Sequence, residues 1–353
     1  MPSFRVGEVK AILDERPGLQ RVEVDLGSGP EHAYALTQLT GPVGPGDQVV
    51  VNTTAVELGL GTGGWHVVHW NLARGEWHEP GPGHVMKARY TSFQADVGST
   101  EEHWDDLTDL TSIDGMPVVA CSLHSQLPAV AVAFKRARPD ARLVYVMTDG
   151  AALPLALSDL VFELRRRDLI AATVTCGHAF GGDYEAVSIY SALAVARHLA
   201  KGDAAVVAMG PGIVGTATRL GFSGIEVGPV LDAVSGLGGT PIAALRVSFA
   251  DPRERHRSVS HHSLTTLSVA TRSQVTVALP RIGGAEESQL RADLAGAGID
   301  ARHDIVGVEP VGVLALLEAQ GMRVVSMGRP AADDPVLFEA AAAAGTLAAQ
   351  RVP

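Results

Sequence analysis

Hydrophobic positions change their rhythm once along this chain. In the N-terminal part they alternate: Val22, Val24 and Leu26 are separated by charged residues, the period-two pattern of a strand with one buried face. The cluster Gly41-Pro42-Val43-Gly44-Pro45-Gly46-Asp47 supplies a turn, and Gln48-Val49-Val50-Val51 follows it as a strand. Residues 65–70 give a further, aromatic-rich strand. Short strands spaced by Gly/Pro turns predict a small β-barrel-like domain of OB or SH3-like type over residues 1–75.

A polar crossing segment, 76–115, carries Pro80-Gly81-Pro82-Gly83 and the acidic pair Glu101-Glu102, and the domain boundary is expected inside it. From Met116 the rhythm becomes that of short apolar runs between helical stretches. Strands are predicted at 118–121, 143–147, 169–175, 204–209, 242–249, 275–279, 305–308 and 324–326. Helices are predicted at 128–136, up to Leu164, at 186–199 and at 338–349. Apolar strands alternating with helices predict an α/β fold over 116–353, with a mostly parallel, doubly wound sheet covered on both faces.

Composition narrows the function classes. Apolar residues make up 46% and charged residues 19% of 353 residues, which is globular composition with a sizeable core. A net charge of −11 with no visible basic face argues against nucleic acid as a partner. No apolar run approaches the ~20 residues that span a bilayer, and Met1-Pro2-Ser3-Phe4-Arg5 lacks a signal pattern. A cytoplasmic protein with no membrane partner is therefore expected. Cys121 and Cys176 both end apolar runs and read as buried free thiols, not as a disulfide framework. The apolar content and acidic surface allow a homodimer.

In open α/β sheets, ligands bind beyond the carboxyl ends of the strands. The residues there are Ser122-Leu123-His124-Ser125, then Thr148-Asp149-Gly150, then Cys176-Gly177-His178 through Asp183, then Gly210-Pro211-Gly212-Ile213-Val214-Gly215-Thr216, and last the loop 251–262. Turns are polar in any case, yet five successive strand ends carry ionisable or small residues. His124, His178, Asp149 and His261 are the candidates for proton transfer. No HExxH, CxxC or local cluster fixes a metal, so a metal centre built from these histidines with Asp149, Asp183 or Cys176 stays open. Adjacent His261 and His262 are expected on different sides of a helix, with at most one of them facing a site. Ser122, Ser125 and Cys176 are candidate nucleophiles, although no Gly-x-Ser-x-Gly elbow is present.

Gly210-x-Gly212-x-x-Gly215 fits three readings: a dinucleotide fingerprint, a simpler phosphate cradle, or a structural turn. Pro211 removes a backbone donor, and no second strand ends in an acid at the required distance. Gly210, Gly212, Gly215 and Thr216 are nevertheless candidate anion binders. So are Arg253 and Arg255, in a loop that also holds Arg257, His256, His261 and His262. Ser260 or Ser263 is a candidate cap for the helix that follows. Gly59-Leu60-Gly61-Thr62-Gly63-Gly64 lacks the Lys-Ser/Thr of a P-loop and reads as a hairpin turn.

Several strings together resemble a bacterial domain-of-unknown-function family. They are Asn52 through Gly64, Lys87-Ala88-Arg89-Tyr90-Thr91, Ser122-Leu123-His124-Ser125, Cys176-Gly177-His178-Ala179, Gly210-Pro211-Gly212 and the 251–262 loop. The resemblance covers nearly the whole chain and brings no activity, cofactor or catalytic residue with it. The expected function is a small-molecule enzyme, by hydrolysis or group transfer, acting on a small anionic ligand, phosphorylated ones included, at the carboxyl edge. The alternative is a non-catalytic metabolite-binding or regulatory protein using the same pocket.

Overall fold

The alternating N-terminal residues close into a barrel of five strands: β1 (Phe4–Arg16), β2 (Leu19–Asp25), β3 (Pro30–Ala35), β4 (Gln48–Asn52) and β5 (Trp65–Asn71). Their order is β1-β2-β3-β5-β4, with β4 returning to β1. The β3–β5 pair is parallel and the others are antiparallel. This arrangement is that of an OB-type barrel, one of the two kinds the pattern allowed. The inward positions Val9, Val22, Val24, Ala33, Val49 and Val51 fill the interior. Strand β1 serves both neighbours because its register shifts between Val9 and Ala11, and again between Ile12 and Asp14, which bends it around the barrel. Gly7 sits where a Cβ would lie 2.6 Å from Leu26 Cδ2, so the bare backbone is what lets the wall close there.

A computed structural model describes residues 2–60 and 63–353. Gly61 and Thr62 of the glycine-rich string lie outside the described residues. The contacts divide the chain into two compact units, Met1–Gly98 and Ser99–Pro353. The first also holds a two-stranded ribbon, β6 (Met86–Lys87) and β7 (Ala95–Asp96).

The second unit is an α/β fold. Its parallel strands are β8 (Pro117–Cys121), β9 (Leu143–Thr148), β10 (Ala172–Cys176), β11 (Tyr184–Ala186), β12 (Ala204–Met209), β13 (Thr240–Ala244), β16 (Thr276–Pro280) and β17 (Asp304–Val308). The spatial order is β11-β10-β9-β12-β8-β13-β16-β17, and every pairing is parallel. The central strands are apolar on both faces, as a sheet covered by helices requires. Val119, Cys121, Tyr145, Met147 and Val206 face one layer, with the helices Leu127–Ala137, Asp159–Arg166 and Pro335–Gln350. Val118, Val144, Val146, Val174 and Val207 face the other, with Ile189–His198, Val227–Gly236 and Gly284–Gly296. Both cysteines are buried free thiols. Among the described residues, no helix is long and apolar enough to cross a membrane.

Two expected strands differ. The run 242–249 does not continue as one strand: β13 ends at Ala244, and β14 (Val247–Ser248) leaves the sheet to pair antiparallel with β15 (Ser258–Val259). The interruption falls at Arg246, whose cation seeks partners that a dry parallel sheet cannot offer. The run 324–326 is not in the sheet either. There β18 (Val325–Ser326) pairs with β19 (Arg329–Pro330) as a small hairpin. Conversely, edge strand β11 has three residues and no apolar run, so nothing in the hydrophobic pattern announces it.

Candidate functional site

Strands β8 and β12 are neighbours whose connections leave in opposite directions. From β8 the chain crosses to β9 through helix Leu127–Ala137 on one face, and from β12 it crosses to β13 through helix Val227–Gly236 on the other. The carboxyl ends of this pair therefore form a topological switch point, where an open α/β sheet parts to admit a ligand. Segment 210–226, which follows β12, runs across this edge and has a polar cluster on each side.

The first cluster is acidic. Thr148, at the end of β9, donates its hydroxyl to the Glu226 carboxylate, and the backbone N–H of His178 donates to Asp149 Oδ2 at 2.9 Å. Gly150 and Gly177 make room for these carboxylates. A Cβ on Gly150 would lie 2.4 Å from Glu226 Oε2, and one on Gly177 would lie 2.3 Å from Asp149 Oδ2. Burial pushes the Glu226 carboxyl up to about 7, the Thr148 hydrogen bond opposes this, and the charge of Asp149 adds to it. A carboxyl group that exchanges its proton near neutrality thus stands at the switch point.

The second cluster is built by the loop after β13. Asp251 is 2% exposed and is gripped at both oxygens by Arg253, with Nε at 2.9 Å and Nη2 at 2.7 Å. Arg329 Nη2 reaches Asp251 at 3.3 Å and Asp334 at 3.2 Å, and Ser248 donates to Asp334 at 2.7 Å. The Arg253 hydrogen bonds hold the Asp251 carboxyl well below the usual carboxylate range, against its burial.

Beside this network lie three imidazoles. Ser260 caps helix His261–Thr265 by accepting the N–H of His262, and its hydroxyl is 2.8 Å from His256 Nδ1. The His262 ring stacks flat on Phe222, with centroids 3.9 Å apart. A nitrogen from each of His256, His261 and His262 comes within 4.8 Å of the other two. His261 and His262 therefore converge, contrary to the expected divergence: both sit in the first turn of a short helix, and His256 reaches them from the preceding turn. Burial, then the charge of Arg246, pushes His256 and His262 down to about 3. His261 is lowered by burial and then by Arg255.

Arg246 joins the histidines to the carboxylates. It is 3% exposed, with Nη1 3.1 Å from His262 Nδ1 and Nη2 4.0 Å from Asp251 Oδ2. Among the described residues, its Nη2 makes no hydrogen bond, and neither does the buried Nε2 of His261. Burial lowers this guanidinium to about 10, so it remains charged at neutral pH. A guanidinium only donates, so His262 Nδ1 accepts and the neutral ring carries its proton on Nε2.

The predicted site residues fare differently. His124 is buried with both ring nitrogens engaged within the chain: Nδ1 is 3.0 Å from the Met209 carbonyl and Nε2 is 2.6 Å from Ser158 Oγ, and burial pushes it down to about 4. Asp149 and His178 come together at the acidic cluster, and His261 belongs to the other. Arg253 is spent on Asp251, and Arg255 is exposed. Cys176 is buried in the sheet with its thiol toward the Met147 carbonyl.

The Gly210–Thr216 stretch does not open a helix, because the next helix begins only at Val227, after the short turn Ser223–Glu226. The strand-turn-helix context of a dinucleotide fingerprint is thus missing. Gly210 instead admits Ala152, whose carbonyl oxygen a Cβ would meet at 2.4 Å. Gly215 bridges to Phe222, and Thr216 hydrogen-bonds Thr218 within the same exposed loop. Sequence reasoning assigned no role to Arg246, Phe222 or Glu226. The one signal for Arg246 was a cation inside an apolar run.

No curated protein matches this chain. The model of DUF3866, a protein family of unknown function, matches residues 32–345. The chain is a member of that family.

Proposed function

We propose that this chain is a small-molecule enzyme, a hydrolase or group-transfer enzyme, working on an anionic, phosphorylated substrate at the carboxyl edge of its sheet. The observation that carries the reading is Glu226: a carboxyl group that exchanges its proton at about 7, set beside Asp149 at the switch point. Proton transfer to a leaving group needs such a residue, and an anionic substrate needs the cationic cluster across segment 210–226. Two free thiols and no disulfide suit a reducing cytoplasm.

The test is release of phosphate from p-nitrophenyl phosphate and a panel of phosphorylated metabolites by the full chain. With Glu226 as general acid, kcat falls as pH rises through about 7. Glu226→Gln removes that limb and lowers kcat by about 10²-fold or more. No turnover across the panel, or an unchanged pH profile in the variant, sinks the reading.

A metabolite sensor is the second reading, favoured by His124, whose two nitrogens are both engaged within the chain. His178→Ala separates the two. Lost turnover with retained affinity marks an enzyme, and lost affinity marks a sensor.

A further inference from the structure

We propose that Arg246, His261 and His262 form an oxyanion subsite that takes the phosphoryl group of the substrate. The proposal rests on the anionic-substrate reading above and moves the anion from Arg253 and Arg255 to a buried arginine. Among the described residues, the buried nitrogens without a hydrogen-bond partner include Arg246 Nη2 and His261 Nε2. A buried polar atom left unsatisfied is costly, so a polar group belongs against them.

Charge decides its sign. The network holds three guanidiniums, Arg246, Arg253 and Arg329, against two carboxylates, Asp251 and Asp334, which leaves one positive charge. Asp251 is already gripped by Arg253 and is 4.0 Å from Arg246, so that surplus resides on Arg246.

Three histidines within 4.8 Å also suit a divalent metal in number, but two features oppose one. A cation would enter beside the Arg246 guanidinium, whose Nη1 is 3.1 Å from His262 Nδ1. The Arg246 hydrogen bond also places the His262 proton on Nε2, the nitrogen a metal would need bare. For an oxyanion that N–H is a donor, alongside the fork of Arg246. Gly215 lies over it: a Cβ there would be 3.6 Å from His262 Nε2 and 3.2 Å from Phe222 Cβ. Both unpartnered atoms are closed from solvent, and in the loop 250–257, which carries His256, the side chains of Glu254, Arg255 and Arg257 are exposed.

The experiment is calorimetric titration of the full chain with inorganic phosphate, with histidine ¹⁵N spectra and a metal analysis of the same sample. One phosphate is expected to bind per chain and to raise the titration midpoint of His262. Arg246→Met is expected to weaken binding about tenfold or more. Should that buried variant fail to fold, the partly exposed His261→Ala is expected to weaken it in the same direction. Phosphate affinity unchanged in His261→Ala overturns the subsite, as does a stoichiometric transition metal that His261→Ala removes. Phosphate binding that depends on these residues, without turnover of any substrate, supports the subsite and sinks the enzyme reading. Turnover with a KM indifferent to His261→Ala does the reverse.

Discussion

His124 and Glu226 show how the same kind of sequence signal acquires opposite meanings. Both are polar residues in connections that follow sheet strands, and both are at least partly buried. His124 has its ring nitrogens matched by Met209 and Ser158, with Tyr145 packed edge-on at 6.1 Å, so its work is to tie β8 to its neighbours. Replacing it by Ala leaves the Ser158 hydroxyl and the Met209 carbonyl without this partner. His124→Ala should therefore cost about 2–4 kcal/mol in urea unfolding. Glu226 is held against its preference. Its folded value of about 7 exceeds the ordinary 4.5, so its contribution to stability is present below about 4.5 and is lost as pH rises through about 7. Glu226→Gln removes the ionisable group, and the variant should gain about 1–2 kcal/mol over the native chain at pH 8 but little at pH 5. Equal effects at the two pH values would mean that folding does not raise the Glu226 carboxyl.

Among elements, close backbone approach does much of the positioning. Helix Pro335–Gln350 lies against helix Leu127–Ala137, and a Cβ on Gly345 would stand 2.3 Å from the Val130 carbonyl oxygen. No rotamer relieves a contact made by Cβ itself, so Gly345→Ala should push these helices apart and cost about 1–3 kcal/mol. A thermal midpoint equal to that of the native chain would show that the helices can slide. The cost is expected although Ala is the better helix former, because packing outweighs propensity at such a site. A similar contact holds Gly210 under Ala152, so this glycine serves a backbone crossing. Arg246 acts on its element in the opposite sense: a charge within an apolar run ends β13 and turns the chain into the ribbon that carries the histidine loop.

For the whole molecule, the histidine cluster sets the acid limit. His256 and His262 sit at about 3 when folded and 6.5 when free, so the unfolded chain takes up protons first. Their contribution is complete above about 6.5 and is lost as pH falls toward 3. Asp251, lowered by Arg253, adds to the loss at the acid end. The unfolding free energy should therefore fall with acid between pH 6.5 and 4. His262→Gln should flatten that slope, measured by denaturant titration at several pH values; an unaltered slope would mean that the cluster is open to protons when folded. The elements were largely legible beforehand. The change from alternating to clustered apolar positions separated barrel from sheet, and the continuous runs at 118–121, 143–147 and 204–209 announced buried parallel strands, because periodicity is a local consequence of which faces meet water. The polar residues at the strand ends were legible as candidates, since any strand-helix alternation exposes its carboxyl edge. Their pairing was not. Which histidine is satisfied, which arginine is already spent on a carboxylate, and that Glu226 faces Thr148 across 78 positions depend on strand order and side-chain distances. Those are set by long-range packing, and only the tertiary structure decided them.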